Sequence, residues 1–396
     1  MSRLEELIAE LCPDGVEFHQ MGKVCRLVTG ATPSKTNPAF WIDGTIPWMS
    51  SGEVNNKRVF DTESKITKLG YDKTSTTIVP IHTVVIALAG QGKTRGKVAI
   101  TEIELCTNQS LCSIICGPEL DYKFLYYYLD GKYEELRTIS NGDGTRGGLS
   151  LKILSPYKIP VPPLPVQSEI VKILDNFTEL TAQLQEQLIL ELSARKRQYE
   201  YYRDKLLTFD VLEGGASECV WRTLGEIADV FRGEYITKKS TKPGNIPVIL
   251  GGQEPAYYID KSNHDGEVVV IARSGVSAGF VSYWNEPIFI TDGFGYEAKK
   301  SITTPKFLYY ILKNKEAELN AMKRGAGVPH VSGEALGQVL LPIPPLKEQE
   351  RIISILDRFD ALCNDLTSGL PAEIAARQRQ YEYYRDKLLT FKEASA

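Results

Sequence analysis

A chain of 396 residues is too long for one ordinary domain and long enough for two or three, each with its own core. With 42% hydrophobic and 24% charged residues it has an ordinary globular composition, and no apolar run approaches the roughly 18–20 residues of a spanning helix. The net charge of −4 excludes a globally basic nucleic-acid binder, so any such footprint has to be local. Acids Glu5 and Glu6 stand where a signal peptide would be apolar, which leads us to expect a cytoplasmic protein with no membrane partner. The seven cysteines form no C-x-x-C pair and the four histidines no H-x-x-x-H pair, so no metal site is expected. Cys106, Cys112 and Cys116 sit in one apolar segment and read as buried thiols.

Residues 1–159 form the first segment, of mixed, strand-rich character. Asn37-Pro38-Ala39-Phe40 comes close to the Asn-Pro-Pro-Phe/Tyr motif of amino-methyltransferases. No cofactor-binding glycine turn accompanies it, and it reads as a proline turn. Further on, Thr83–Ala87 is a strand that runs into Ala87-Leu-Ala-Gly-Gln-Gly-Lys93-Thr94, a relaxed phosphate-loop pattern. A true phosphate loop passes at once into a helix; here Arg95-Gly-Lys-Val-Ala-Ile100 follows and reads as the return strand of a hairpin. Lys93, Arg95 and Lys97 alternate with glycines, and no acid lies between residues 83 and 101. Such cations suit phosphates or a guanine edge. Arg146, in the glycine-rich loop Ser140–Gly148, is a second candidate for a base edge.

Residues 160–213 open with Pro160-Val-Pro-Pro-Leu-Pro165, which bars helix until it ends. Ile170, Ile173, Leu174, Phe177, Leu180, Leu184 and Leu188 then step by three and four along one helix face. From Val166 to Phe209 the helix would span roughly 65 Å at 1.5 Å per residue. Near its end Tyr199, Tyr201, Tyr202 and Arg203 make an aromatic, cationic surface suited to a protein interface.

Residues 214–341 are a second strand-rich segment that runs parallel to the first. Ile246-Pro-Val answers to Ile46-Pro-Trp, Val268–Ala272 to Thr83–Ala87, and Phe307-Leu-Tyr-Tyr310 to Phe124-Leu-Tyr-Tyr127. Arg273 and Ser277 take the place of the lysine-containing loop. Arg324 and His330 occupy a glycine-rich loop answering to that of Arg146.

Residues 342–396 repeat the first helical region at an offset of 182. Between 160–209 and 342–391, 29 of 50 positions are identical, and Gln198–Phe209 recurs unchanged as Gln380–Phe391, with Tyr381, Tyr383, Tyr384 and Arg385. Gly369-Leu370-Pro371 replaces Gln187-Leu188-Ile189 and should interrupt the second helix. One such helix cannot bury its stripe alone, whereas two in one chain can pair. We therefore expect an α+β fold. Two strand-rich domains are separated by two long antiparallel helices in an intramolecular coiled coil, with an internal pseudo-two-fold repeat.

The proline lead-in, the I-x-x-I-L-D-x-F helix start, Thr178–Leu184 and the Q-Y-E-Y-Y-R-D block resemble the specificity subunits of type I restriction-modification enzymes, along the whole chain. The resemblance implies a non-catalytic protein whose two recognition domains read an asymmetric bipartite target in double-stranded DNA. It further implies two methyltransferase subunits docked on the repeated helices and, in the full complex, restriction and translocase subunits. S-adenosylmethionine and ATP would sit on those partners, and this chain would hold no cofactor. The rival readings are a nucleotide-dependent enzyme built on the Ala87–Thr94 loop and a plain coiled-coil scaffold. If the helices set the spacing of the two half-sites, deleting Thr181–Leu184 shortens one arm by about 6 Å at 1.5 Å per residue while keeping the stripe nearly in phase. Methylome mapping of the deletion protein is then expected to show unchanged half-sites with a shorter spacer. An unchanged spacer in an assembled enzyme would refute the ruler.

Overall fold

The computed structural model describes residues 2–90, 94–140, 148–209, 219–250, 254–325, 327–364 and 369–394. They fall into two compact units, one of residues 1–186 and 375–396 and the other of residues 187–374.

In the first unit the order is α1 (Arg3–Leu11), β1 (Phe18–Gln20), α2 (Met21–Val24), β2 (Cys25–Thr29), β3 (Ile46–Met49), β4 (Arg58–Val59), β5 (Ser64–Ile66), α3 (Lys68–Asp72), β6 (Val84–Ala87) and β7 (Val98–Thr101). Then come β8 (Cys106–Thr107), β9 (Leu111–Cys116), α4 (Tyr122–Gly131), α5 (Tyr133–Thr138), α6 (Leu151–Leu154), β10 (Lys158–Pro160) and α7 (Leu164–Leu207), whose second half belongs to the other unit. The second unit continues with β11 (Val220–Thr223), α8 (Leu224–Ile227), β12 (Ala228–Arg232), β13 (Ile246–Ile249), β14 (Tyr257–Ile259), β15 (Glu267–Ala272), β16 (Val281–Asn285), β17 (Phe289–Ile290) and β18 (Gly293–Ala298). It closes with α9 (Pro305–Asn314), α10 (Glu316–Ala321), α11 (Gly333–Gly337), β19 (Leu340–Ile343), α12 (Leu346–Asn364) and α13 (Leu370–Leu388).

The two units share one topology. The main sheets run β2-β9-β6-β7-β4 and β12-β18-β15-β16, the smaller sheets β5-β3-β8 and β14-β13-β17, and the ribbons β1-β10 and β11-β19. Strand β4, paired parallel to β7, is the extra edge of the first. The central strands read as unbroken apolar runs because both faces are covered. Val84 and Ile86 face α4, while Val85 and Ala87 join Met49, Val54 and Val59 in a second core. Likewise Val269 and Ile271 face Phe307 and Leu308 of α9, and Val268 and Val270 meet Ile249 and Ile290. Cys106 and Cys112 lie fully buried in this packing, and burial pushes the Cys112 thiol up to about 12.

Helix α7 is continuous over 44 residues, whereas its repeat is split into α12 and α13. Gly369 forms a bend and Pro371 sits in the first turn of α13, where its missing N–H leaves no helical bond unmade. In the first unit α7 and α13 run antiparallel. Phe177 meets Tyr384 at 5.8 Å between ring centres, Thr178 hydrogen-bonds Tyr381 at 3.0 Å, and Gln185 bonds Gln378 at 3.1 Å. The same contact recurs in the second unit with the copies exchanged, where Phe359 of α12 meets Tyr202 at 6.0 Å and Tyr199 at 6.4 Å. Each unit thus uses the start of one helical repeat and the end of the other.

A buried glutamine roots each helix. Gln167 accepts from the Asp121 N–H at 2.8 Å and donates to the carbonyls of Glu119 (2.8 Å) and Pro162 (2.7 Å). Gln349 accepts from the Thr304 N–H at 3.0 Å and donates to the carbonyls of Ile302 (3.0 Å) and Pro344 (2.9 Å). Neither side chain has any solvent exposure. Next to them Asp175 takes Tyr127 and Lys123 at 2.7 and 2.6 Å, and Asp357 takes Tyr310 and Lys306. Replacing Gln167 by Leu strands the buried Pro162 carbonyl and frees two half-buried backbone groups that water can reach, and is expected to lower stability in urea by about 2–4 kcal/mol, since an unsatisfied buried group costs about 1–3. Gln349→Leu is expected to cost as much, and a loss below about 0.5 kcal/mol in either would show that the amide is dispensable.

Candidate nucleic-acid interface

In the second unit one end of the main sheet gathers the loops that carry charge. Strand β15 ends at Ala272 opposite Gly293, and β12 ends at Arg232 opposite Phe294, so the chain leaves both strands beside the Ile290–Gly293 turn. Past β12, Gly233 and Glu234 donate N–H bonds to the carbonyls of Gly293 and Ile290 at 2.9 and 3.0 Å. The segment then presents Tyr235, 86% exposed, and the exposed Lys238 and Lys239 on a single 3-10 turn.

Past β15, Arg273 donates its N–H to the Asp292 carbonyl and pairs with the Asp292 carboxylate at 3.6 Å, which also takes the Ser274 hydroxyl. The loop before α11 closes onto the same turn. Arg324 and His330 exchange backbone hydrogen bonds at 3.0 and 2.9 Å, Val331 donates to Arg273 O, and Gly275 donates to Pro329 O. Lys323 Nζ donates to Val276 O at 2.9 Å. Arg273, Ser277, Arg324 and His330, selected from the sequence, therefore meet on one rim. Lys238, Lys239, Lys323 and Tyr235 join them there and were missed; the run Lys238-Lys239 was the available signal. The acids on the loops at this end include Glu234, Glu254 and Asp292, and Asp292 is engaged by Arg273 and Ser274. A neutral domain thus carries a local positive patch, the kind of surface that phosphates favour.

The first unit builds the same end from different residues. Gly30 leaves β2 against Thr107, where a Cβ would come within 1.7 Å of the Thr107 carbonyl oxygen, and Thr32 bonds Gln109 at 2.5 Å. Leu88 donates to Ser110 O and accepts from Leu149 N–H, both at 2.8 Å. Lys93 and Arg146 lie outside the described residues. Lys97 and Arg95 stand at the base of the β6–β7 hairpin. Lys97 Nζ donates to Asn55 at 2.7 Å, and the half-buried Arg95 has an Nε with no hydrogen-bond partner among the described residues. Where a phosphate loop needs a helix, the chain turns at Thr94–Gly96 and enters β7. Asn37 uses its side-chain oxygen to cap the 3-10 turn Pro38–Phe40 through Ala39 N–H at 3.2 Å, as a proline turn would.

The repeated tyrosine blocks divide by face. Arg385 is buried and pairs with Asp130 at 2.7 Å, while Arg203 donates to Asn314 at 3.0 Å. Burial among the helices raises the Tyr199 hydroxyl to about 12 and pushes that of Tyr381 up as well. Tyr201 and Tyr383 are 60% and 63% exposed, with Tyr202 and Tyr384 beside them at 40% each. Tyr199, Tyr381, Arg203 and Arg385 therefore serve contacts within each unit, and the outward rings are Tyr201 and Tyr383. Among the described residues no three His, Cys, Asp or Glu side chains are placed to hold a metal ion, and no helix is long and apolar enough to cross a membrane.

Comparison with known proteins gives the same architecture. The type I restriction modification DNA specificity domain matches twice, over residues 13–194 and 217–376. The chain is 31% identical over 387 residues to the EcoprrI specificity subunit of Escherichia coli, covering 93% of this chain and 92% of that one. It is 33% identical over 299 residues to the EcoR124I/EcoR124II specificity subunit of the same organism, covering 68% and 70%. Among solved structures, a chain from a type I R-M system studied for complex assembly and conformational transition superposes with a TM-score of 0.72 at 17% identity, covering 95% of this chain and 98% of that one. The HsdS subunit of Thermoanaerobacter tengcongensis superposes with a TM-score of 0.62 at 19% identity, covering 96% and 97%. Two specificity domains on one repeated framework, matched by a relative along almost its whole length, place this chain in the family of type I restriction-modification specificity subunits.

Proposed function

We propose that the chain reads an asymmetric, two-part target in double-stranded DNA. Residues 1–159 and 214–341 act as the recognition domains, and residues 160–213 and 342–396 as the helical frame. The observation that carries this reading is the second unit's rim, where Lys238, Lys239, Arg273, Lys323 and Arg324 converge on one turn of an otherwise neutral domain. The same loops in the first unit have a different sequence on a topology that differs only by the edge strand β4, which supports two different half-sites. Lys93, Arg95, Lys97 and Arg146 are the candidate contacts there. Lysines on mobile stems suit phosphates, and Arg273 and Arg324 suit a guanine edge.

Methylation and cleavage belong to partners in this reading. Two methyltransferase subunits carrying S-adenosylmethionine dock on the outward tyrosines of the two repeats, and a restriction subunit uses ATP to translocate DNA, all in the cytoplasm. Mapping methylated sites in a cell that expresses the chain with its methylase tests the whole; a single continuous motif or a perfect palindrome would refute it.

Lys238→Ala with Lys239→Ala is expected to weaken binding alike on specific and random duplexes. It should also flatten the salt dependence by about two units of slope, because each phosphate contact contributes about 0.9. Arg324→Ala is expected to cost about 1–3 kcal/mol at one base position and to leave the salt slope nearly unchanged. Variants that bind like the parent at matched salt would move the interface elsewhere.

Tyr201→Ala and Tyr383→Ala are expected to reduce co-purification of the methylase with little change in thermal unfolding. Tyr199→Ala and Tyr381→Ala should instead lower the melting temperature. If the outward pair destabilised the free chain as much as the inward pair, the outward rings would be structural.

A further inference from the structure

Val276 is the most exposed apolar side chain on the recognition rim, at 91%, with Val328 on the adjoining loop at 67%. Single exposed apolar residues are ordinary. This one stands at the tip of a loop braced on every side. Gly275 adopts φ +81° and donates to Pro329 O, and Ala278 N–H returns to Gly275 O at 3.2 Å. Gly279, at φ +88°, lies so close to α10 that a Cβ would sit 2.7 Å from Asn320 N. Asn320 Nδ2 holds Ala278 O at 3.1 Å, and Lys323 Nζ holds Val276 O at 2.9 Å. The valine is presented rigidly, its χ1 narrowed further by β-branching. Arg273, Ser277, Lys323, Arg324 and His330 stand on the same two loops. In the first unit the corresponding stretch is Gln91-Gly92-Lys93, with no apolar residue to present.

A cationic rim with an apolar point fits a surface that is anionic at its edges and carries an isolated methyl group within. In duplex DNA that description belongs to the major groove at an A·T pair, where the thymine C5-methyl is the apolar feature among hydrogen-bonding edges. Resting on the DNA-reading function proposed above, we infer that Val276 is a specificity-determining contact to a thymine C5-methyl group in the half-site read by the second unit. Val328 shields the same contact, and the flanking cations take phosphates and neighbouring base edges. The second half-site therefore contains at least one obligatory A·T pair that is read through its methyl.

The test uses the full chain assembled with its methylase on duplexes carrying the mapped target, with each thymine replaced in turn by deoxyuridine, which lacks only the methyl. One position in the second half-site is expected to lose about fourfold in affinity, the worth of about 0.8 kcal/mol per buried CH₂ at 1.4 kcal/mol per tenfold. With Val276→Ala the complex should bind thymine and deoxyuridine duplexes within about 1.5-fold at that position, while Arg95→Ala should keep the discrimination. Arg95 lies in the other unit, so it serves as the control for general weakening.

The inference is overturned if every deoxyuridine duplex binds like the parent, if the discrimination survives Val276→Ala, or if the second half-site has no A·T pair. Loss of methylase assembly in Val276→Ala with unchanged thymine discrimination would also overturn it and make the valine a protein contact. Failure of the underlying reading looks different: the assembled enzyme would then mark no bipartite target at all, before any base is substituted.

Discussion

The architecture depends on one buried amide in each unit. Gln167 and Gln349 have no access to water, so their donors and acceptor must all be satisfied by protein. Their bonds go to main-chain groups almost throughout: a carbonyl and an N–H that flank the start of α4 or α9, and a carbonyl of the proline segment. A contact made to backbone is indifferent to the side chains around it. The strand-rich modules can therefore diverge in sequence, as these two have, while the joint that seats each on its helix stays the same. Asp175 and Asp357 add a side-chain requirement, a lysine and a tyrosine four residues apart on the module's helix.

Neutrality of the modules is as informative as their patch. A uniformly basic domain would bind any DNA strongly through phosphates, and that term carries no sequence information. Charge concentrated on one rim keeps the non-specific term small and leaves discrimination to a few braced side chains. Asp292 belongs to this arrangement. It fixes Arg273 and Ser274 at the price of cancelling part of the positive field, so the guanidinium is oriented before any partner arrives.

Much of this was legible in the sequence because the chain states it twice. The offset of 182 revealed the helical repeats, the proline lead-ins and the break at Gly369 and Pro371, and the paired runs Thr83–Ala87 and Val268–Ala272 are the central strands. The hairpin reading of Ala87–Ile100 agrees with the β6–β7 turn because strand formers followed the glycine. Other features were hidden for a physical reason. Tyr235 and Lys238 join the rim only through backbone bonds to residues more than fifty positions away, and no local pattern encodes that. The tyrosine blocks looked like one uniform surface, since the sequence gives no hint that Arg385 turns inward to Asp130 while Tyr383 faces out.

The exchange of helical ends has a consequence for synthesis on the ribosome. In the folded chain each tyrosine block packs on the start of the other repeat and not on that of its own. The first unit's socket, around Phe177, Asp130 and Phe124, is filled by Tyr384, Arg385, Leu389 and Phe391, which are made well after the rest of that unit. Between the emergence of Glu186 and that of Ala375, elongation at roughly 5–20 residues per second takes about 10–40 s. Throughout that interval Phe124 and Phe177 await partners that are not yet translated. A second copy carries an identical segment, so exchange of that segment between chains competes with closure within one chain.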